Sequence, residues 1–151
     1  MPRLLFLALG LTLAACGSEA GDGSAAPDVA EKPVVTSPGG EPPAELQITD
    51  IVTGEGAEAK VGDLLSMQYV GIAWSTGEQF DASWDNGQPF ALQIGVGDVI
   101  LGWDQGIPGM RVGGRRQLVI PPDLAYGPAG IPGVIAADET LVFVVDLIGI
   151  G

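Results

Sequence analysis

The stretch DVILGWDQGI, residues 98–107, is the one segment of this chain whose apolar residues recur at helical rather than strand spacing. Val99, Ile100 and Trp103 fall within one turn of each other, three and four positions apart, and Asp98 stands where an N-cap belongs. A short helix from Val99 to Gly106 is predicted. On both sides the pattern changes to short alternating runs broken by glycine, which marks strands joined by turns. Strands are expected at residues 46–51, 64–74, 90–94, 115–120 and 141–148, with Ser75-Thr76-Gly77-Glu78 as a hairpin connection. About five antiparallel strands in a curved sheet wrapped around one short helix make an α+β domain, whose helix buries the concave face.

Composition narrows the function. The 151 residues carry six basic and nineteen acidic side chains, a formal net charge of -13, so no basic face for nucleic acid can be assembled. Histidine is absent, which removes Ser-His-Asp and Cys-His catalysis and most zinc sites. The single cysteine, Cys16, cannot form an internal disulfide. No cofactor or metal is called for: Gly95-Val96-Gly97 lacks the remaining glycine and the strand-helix setting of a dinucleotide site, and no spaced ligand cluster exists.

The N-terminus explains the cysteine. Arg3, an apolar run from Leu4 to Leu13 and then Leu13-Ala14-Ala15-Cys16 form an export signal, shorter than the roughly 20 residues of a membrane span. Leu-Ala-Ala-Cys resembles a bacterial lipobox, which implies cleavage after residue 15 and lipid on Cys16, with several acyl chains giving stable anchorage. Residues 16–45 are rich in Gly, Pro, Ser and acidic side chains and read as a disordered linker holding the domain off the bilayer. The folded domain is expected over 46–151. Gly17 after the cysteine, rather than aspartate, resembles outer-membrane sorting, with the domain facing the periplasm of a Gram-negative host.

The motifs within that domain are specific. Val-Ile-Leu-Gly-Trp-Asp-Gln-Gly-Ile (99–107), Leu-Ala-Tyr-Gly (124–127), Ile-Pro-Gly-Val-Ile (131–135) and Thr-Leu-Val-Phe-Val-Val-Asp-Leu (140–147) resemble the FKBP-type, macrolide-binding peptidyl-prolyl isomerases. The resemblance implies prolyl cis/trans isomerisation of proline-containing polypeptides, with macrolides as inhibitors and a pocket of Tyr69, Phe80, Asp81, Phe90, Val99, Ile100, Trp103, Tyr126, Val134, Ile135 and Phe143. By the same resemblance Trp103 floors the pocket, while Tyr126 and the backbone amide of Ile135 bond the carbonyls flanking proline. Asp81 stands at the edge, where Tyr69 can donate to it.

Each residue has a plainer alternative. Trp103, Phe80, Phe90 and Phe143 also suit a core, Tyr126 a loop cover and Asp81 a turn. Trp84 reads equally as a peptide contact or as a cover over the sheet. The family's arginine after the Phe-Asp pair is missing, with Asn86 in its place, so Asp81 lacks its usual cation. That departure keeps open a second class of function, a proline-segment binding or holdase module with little turnover. A structural envelope lipoprotein retaining only the fold is a third.

Overall fold

The computed structural model describes residues 29–151. Its strands are β1 (Gln47–Val52), β2 (Leu64–Ala73), β3 (Gln79–Ala82), β4 (Phe90–Gln93), β5 (Arg115–Ile120) and β6 (Leu141–Ile150), with one α-helix, α1 (Leu101–Gly106), between β4 and β5. The sheet runs β1-β5-β6-β2-β3, all antiparallel, and β4 also pairs with β2.

There are six strands rather than about five. β3 pairs with the C-terminal half of β2 (Val70 to Ile72) and β4 with its N-terminal half (Leu64 to Met67), so the two are one edge interrupted by a 3-10 turn at Ser83–Asn86. Gln79-Phe80-Asp81-Ala82 is too short and too polar to show an alternation. The Ser83 hydroxyl, which receives the Tyr69 N–H at 2.7 Å, ties that turn to β2.

Alternation along the strands separates two apolar layers. Leu65, Met67, Leu118, Ile120, Leu141, Phe143, Val145 and Leu147 face α1 and form the main core with Trp103 and Ile107. Val70, Ile72, Val119 and Val142 point to the other face, where they meet Val35, Trp74 and Trp84. β6 lies between β5 and β2, which is why its first seven residues are all buried.

Glycines bring the helix close to the sheet. A Cβ at Gly102 would lie 2.4 Å from Ile120 Cγ2, and one at Gly106 would lie 2.7 Å from Leu118 Cδ2. These positions, one turn apart, form the helix face that rests on β5. Arg116 closes the far end, donating from Nη1 to the Gly106 carbonyl at 2.8 Å and from Nε to Asp50 at 2.6 Å. A guanidinium at a helix C-terminus satisfies carbonyls that have no helical partner.

The helix starts later than its spacing predicts. Ile100 occupies the cap position and makes no side-chain cap bond, so Asp98 is not the N-cap. Asp104 organises the approach instead: its carboxylate accepts the N–H groups of Gly95 at 2.8 Å and Gly97 at 3.0 Å. Those amides pin the preceding loop to the helix and leave Asp98 outside it.

The segment before β1 also differs from expectation. Residues 31–40, read from composition as part of a spacer, lie along the convex face of the sheet. Arg115 Nη2 donates to the Glu31 carbonyl at 2.7 Å, Lys32 Nζ meets Asp85 at 2.7 Å, Ser37 Oγ donates to the Trp74 carbonyl at 2.7 Å and Trp74 Nε1 to the Gly40 carbonyl at 3.0 Å. Val35 packs into the second apolar layer. Composition alone does not register this strap, because its one plug, Val35, finds its partners some 35 or more residues away in sequence. Residues 1–16, expected to form a signal sequence ending at a lipid-bearing Cys16, lie outside the described residues, and no helix among those described is long and apolar enough to cross a membrane.

Candidate active site

The concave face leaves one aromatic hollow, a cleft of about 320 Å³ bounded by β2, β3, β6, the approach to α1 and the loop bearing Tyr126. Tyr69, Phe80, Asp81, Phe90, Val99, Ile100, Trp103, Tyr126 and Phe143 all line it, together with Asp98. Strand alternation explains the set: Tyr69 sits on the core side of β2 and Phe143 on the core side of β6. Gly71 lies directly opposite Phe143.

That glycine shapes the wall. A Cβ at Gly71 would stand 2.6 Å from Phe143 Cε1 and 2.7 Å from Phe80 Cζ, so only a hydrogen there lets both rings close over the strand. Phe80 and Phe143 then meet edge to face at 5.5 Å. Trp103 meets Phe143 at 5.3 Å and Tyr69 at 5.1 Å, both near perpendicular, and Phe90 joins Tyr69 at 5.8 Å. Edge-to-face packing of this kind fixes rings more tightly than burial alone. Trp103 is only 4% exposed yet lines the cleft, so it is both core residue and floor.

Two phenols, Tyr69 and Tyr126, and two carboxylates, Asp81 and Asp98, supply the polar side-chain atoms. Tyr69 Oη donates to Asp81 Oδ2 at 2.6 Å, giving Asp81 a neutral donor in a chain that lacks the family's arginine. Burial, the hydrogen bond to Asp81 and its negative charge hold the Tyr69 phenol well above its ordinary range. Burial, and to a lesser degree the Asp81 charge, raise that of Tyr126. Both therefore stay protonated, and able to donate, throughout the neutral range.

Tyr126 is placed by a loop that binds itself. Gly130 N–H donates to the Tyr126 carbonyl at 3.2 Å, Asp138 N–H to the Gly127 carbonyl at 3.0 Å, and Ile131 and Ile135 form an antiparallel bridge. Gly130 has φ 56°, and a Cβ there would lie 2.4 Å from the Ile135 carbonyl oxygen. Only glycine suits that position.

The same loop moves two residues away from their expected roles. Ile135 is 5% exposed, packs in the core and does not line the cleft, and its N–H already donates to the Ile131 carbonyl at 2.8 Å. Its amide is thus committed within a turn. Val134 is exposed and lines a neighbouring groove with Phe80, Glu78 and Gln79. Trp84 belongs to the opposite face, as a cover over the second apolar layer. Asp98 is the cleft residue that sequence reasoning missed, its position before a helix having suggested a cap.

Among the described residues no group of three or more His, Cys, Asp or Glu side chains could hold a metal ion. The arrangement offers an aromatic chamber with one uncommitted phenolic donor, Tyr126, at its edge, the Tyr69 hydroxyl being bonded to Asp81. Such a chamber is that of a protein that binds and orients a largely apolar segment. Comparison with known proteins makes the assignment specific: residues 55–148 match the family model described as FKBP-type peptidyl-prolyl cis-trans isomerase, and the chain belongs to that family. An FK506-binding protein of Streptomyces anulatus is 58% identical over 121 residues, covering 80% of this chain and 98% of the relative. A probable FK506-binding protein of Corynebacterium glutamicum is 52% identical over 118 residues, 78% of this chain and 98% of that one. Among solved structures, AtFKBP13 superposes with a TM-score of 0.67 at 41% identity, covering 73% of this chain and 96% of that chain. FkpA from Escherichia coli gives 0.63 at 37%, over 70% and 47% respectively.

Proposed function

We propose that the cleft accelerates X-Pro isomerisation in exported polypeptides by enclosing the prolyl bond in a dry aromatic chamber, without covalent chemistry. The uncatalysed barrier of about 18–20 kcal/mol is the resonance lost as the C–N bond leaves planarity. A twisted amide has a less polarised carbonyl than a planar one, so poorly hydrated apolar walls penalise the ground state more than the transition state. Lowering the barrier by about 5–7 kcal/mol corresponds to an acceleration of roughly 10⁴ to 10⁵.

The observation that carries this reading is the perpendicular aromatic set around Trp103, with Tyr126 at its rim. The indole supports the proline ring, and the Tyr126 hydroxyl donates to a carbonyl flanking it, fixing one side of the bond while the other rotates. Tyr69 holds Asp81 so that the carboxylate presents a fixed dipole at the edge. The same hollow, by likeness to the FK506-binding relatives, accommodates macrolides of that kind.

The test is a proline-limited refolding assay with the full chain. The slow phase is expected to accelerate, and Tyr126→Phe to reduce kcat/KM about three- to tenfold, the worth of one hydrogen bond. A slow phase that the wild-type protein leaves untouched would end the proposal.

The Leu-Ala-Ala-Cys motif supports a lipid anchor on Cys16 and a place in the cell envelope, on the periplasmic face of an outer membrane where the host has one. Cys16→Ser should move the protein from the membrane fraction to the soluble fraction. Membrane recovery equal to that of the wild type would exclude anchoring through this thiol.

A further inference from the structure

The cleft is lined by two carboxylates and no cation. Asp81 and Asp98 both border it, and Glu78 lines the adjoining groove that shares Phe80 with the cleft. The five basic residues among those described, Lys32, Lys60, Arg111, Arg115 and Arg116, line neither hollow. Four of them face carboxylates elsewhere: Lys32 on Asp85, Arg111 on Glu58, Arg115 on Asp146 and Arg116 on Asp50. Lys60 stands exposed in the connection before β2, its N–H bonded to Asp63. Asp98 is exposed and makes no ion pair among the described residues.

We propose that Asp81 and Asp98 make the cleft selective for prolyl segments that carry lysine or arginine beside the proline, and discriminating against acidic ones. The proposal rests on the isomerase reading above and adds the charge of the preferred substrate. Its physical basis is the place of the two exposed carboxylates at the rim of an aromatic wall that holds no compensating cation. A cation flanking the proline is attracted by that negative charge and a flanking carboxylate is repelled by it, an effect that salt screens because both carboxylates are exposed. Aromatic faces add to the effect, since the rings of Tyr69, Phe80 and Phe90 attract a passing cation and disfavour an anion.

The experiment uses the full chain and three acetylated, amidated peptides that differ only in the residue before proline: lysine, leucine or glutamate. Isomerisation is read by NMR exchange between cis and trans signals. At low ionic strength kcat/KM for the lysine peptide should exceed that for the glutamate peptide about tenfold, narrowing to below about threefold in 0.5 M salt. Asp98→Asn should at least halve the low-salt ratio. Glu58→Gln removes the same charge away from the cleft and should leave the ratio unchanged, separating a local effect from the field of an acidic protein. Equal rates for lysine and glutamate, with leucine turned over normally, overturn the charge selectivity and leave the isomerase reading intact. A ratio that Asp98→Asn leaves alone, or that Glu58→Gln lowers as far, overturns the assignment to the cleft carboxylates. No exchange with the leucine peptide overturns the isomerase reading itself, and this proposal with it.

Discussion

Replacement of Arg115 by methionine is expected to cost about 3–5 kcal/mol of folding stability, the usual result of leaving one member of a buried ion pair without its partner. Arg115 is 4% exposed and Asp146 1%. The guanidinium donates through Nε at 2.6 Å and Nη2 at 2.9 Å, a two-point contact that satisfies both carboxylate oxygens. Nη2 also holds the Glu31 carbonyl, so the substitution releases the strap together with the pair. Burial pushes the Asp146 carboxyl above its ordinary value while Arg115 pulls it down. Without Arg115 the upward push stands unopposed, and the folded state keeps the proton to higher pH than the unfolded chain. Stability then falls as pH rises from the unfolded carboxyl value toward the folded one, so the deficit should be smaller near pH 4.5 than at pH 7. Urea unfolding at the two pH values checks both statements. The double change Arg115→Met with Asp146→Leu should recover most of the loss, because it leaves no unpaired charge. A loss below about 1 kcal/mol in the single variant would mean that the carboxylate finds water or another donor.

The second large effect is expected at the floor of the cleft. Trp103→Ala removes an indole that is 4% exposed and packed perpendicular to Tyr69 and Phe143, at a typical cost of about 3–5 kcal/mol. Turnover should fall by more than tenfold, since the proline ring loses its support and water enters the chamber. Trp103→Phe separates the two contributions. The indole N–H is buried with no hydrogen-bond partner among the described residues, so phenylalanine removes an unsatisfied donor while keeping an aromatic face. Its stability loss should be below half that of alanine, and measurable isomerisation should remain. Thermal unfolding and the refolding assay on both variants provide the readout. Equal turnover in Trp103→Ala and wild type would remove Trp103 from the mechanism.

The sheet was legible wherever a strand had one buried face. β2, β5 and β6 alternate or run apolar because each is flanked by neighbours, whereas the cleft aromatics could be named through the family resemblance, since Phe80, Phe90 and Tyr126 lie on short edge strands and a loop that show no pattern of their own. What escaped depended on partners distant in sequence or on loop geometry. β3 is four residues on a broken edge. Asp98 and Asp104 are both acidic residues near a helix start, and only the fold shows that Asp104 takes the two glycine amides while Asp98 faces the cleft. Ile135 matches its motif, but the turn beginning at Ile131 commits its amide before any substrate arrives.

The strap fixes how the molecule can be held. Residues 31–40 are fastened to the back of the sheet by Arg115, Asp85 and Trp74, while the cleft opens from the front. A pull exerted from the N-terminal side of Glu31 therefore bears on the rear wall, away from the mouth. Such tension reaches the Glu31 and Gly40 fastenings before it loads β1, which shields the first strand from being peeled away.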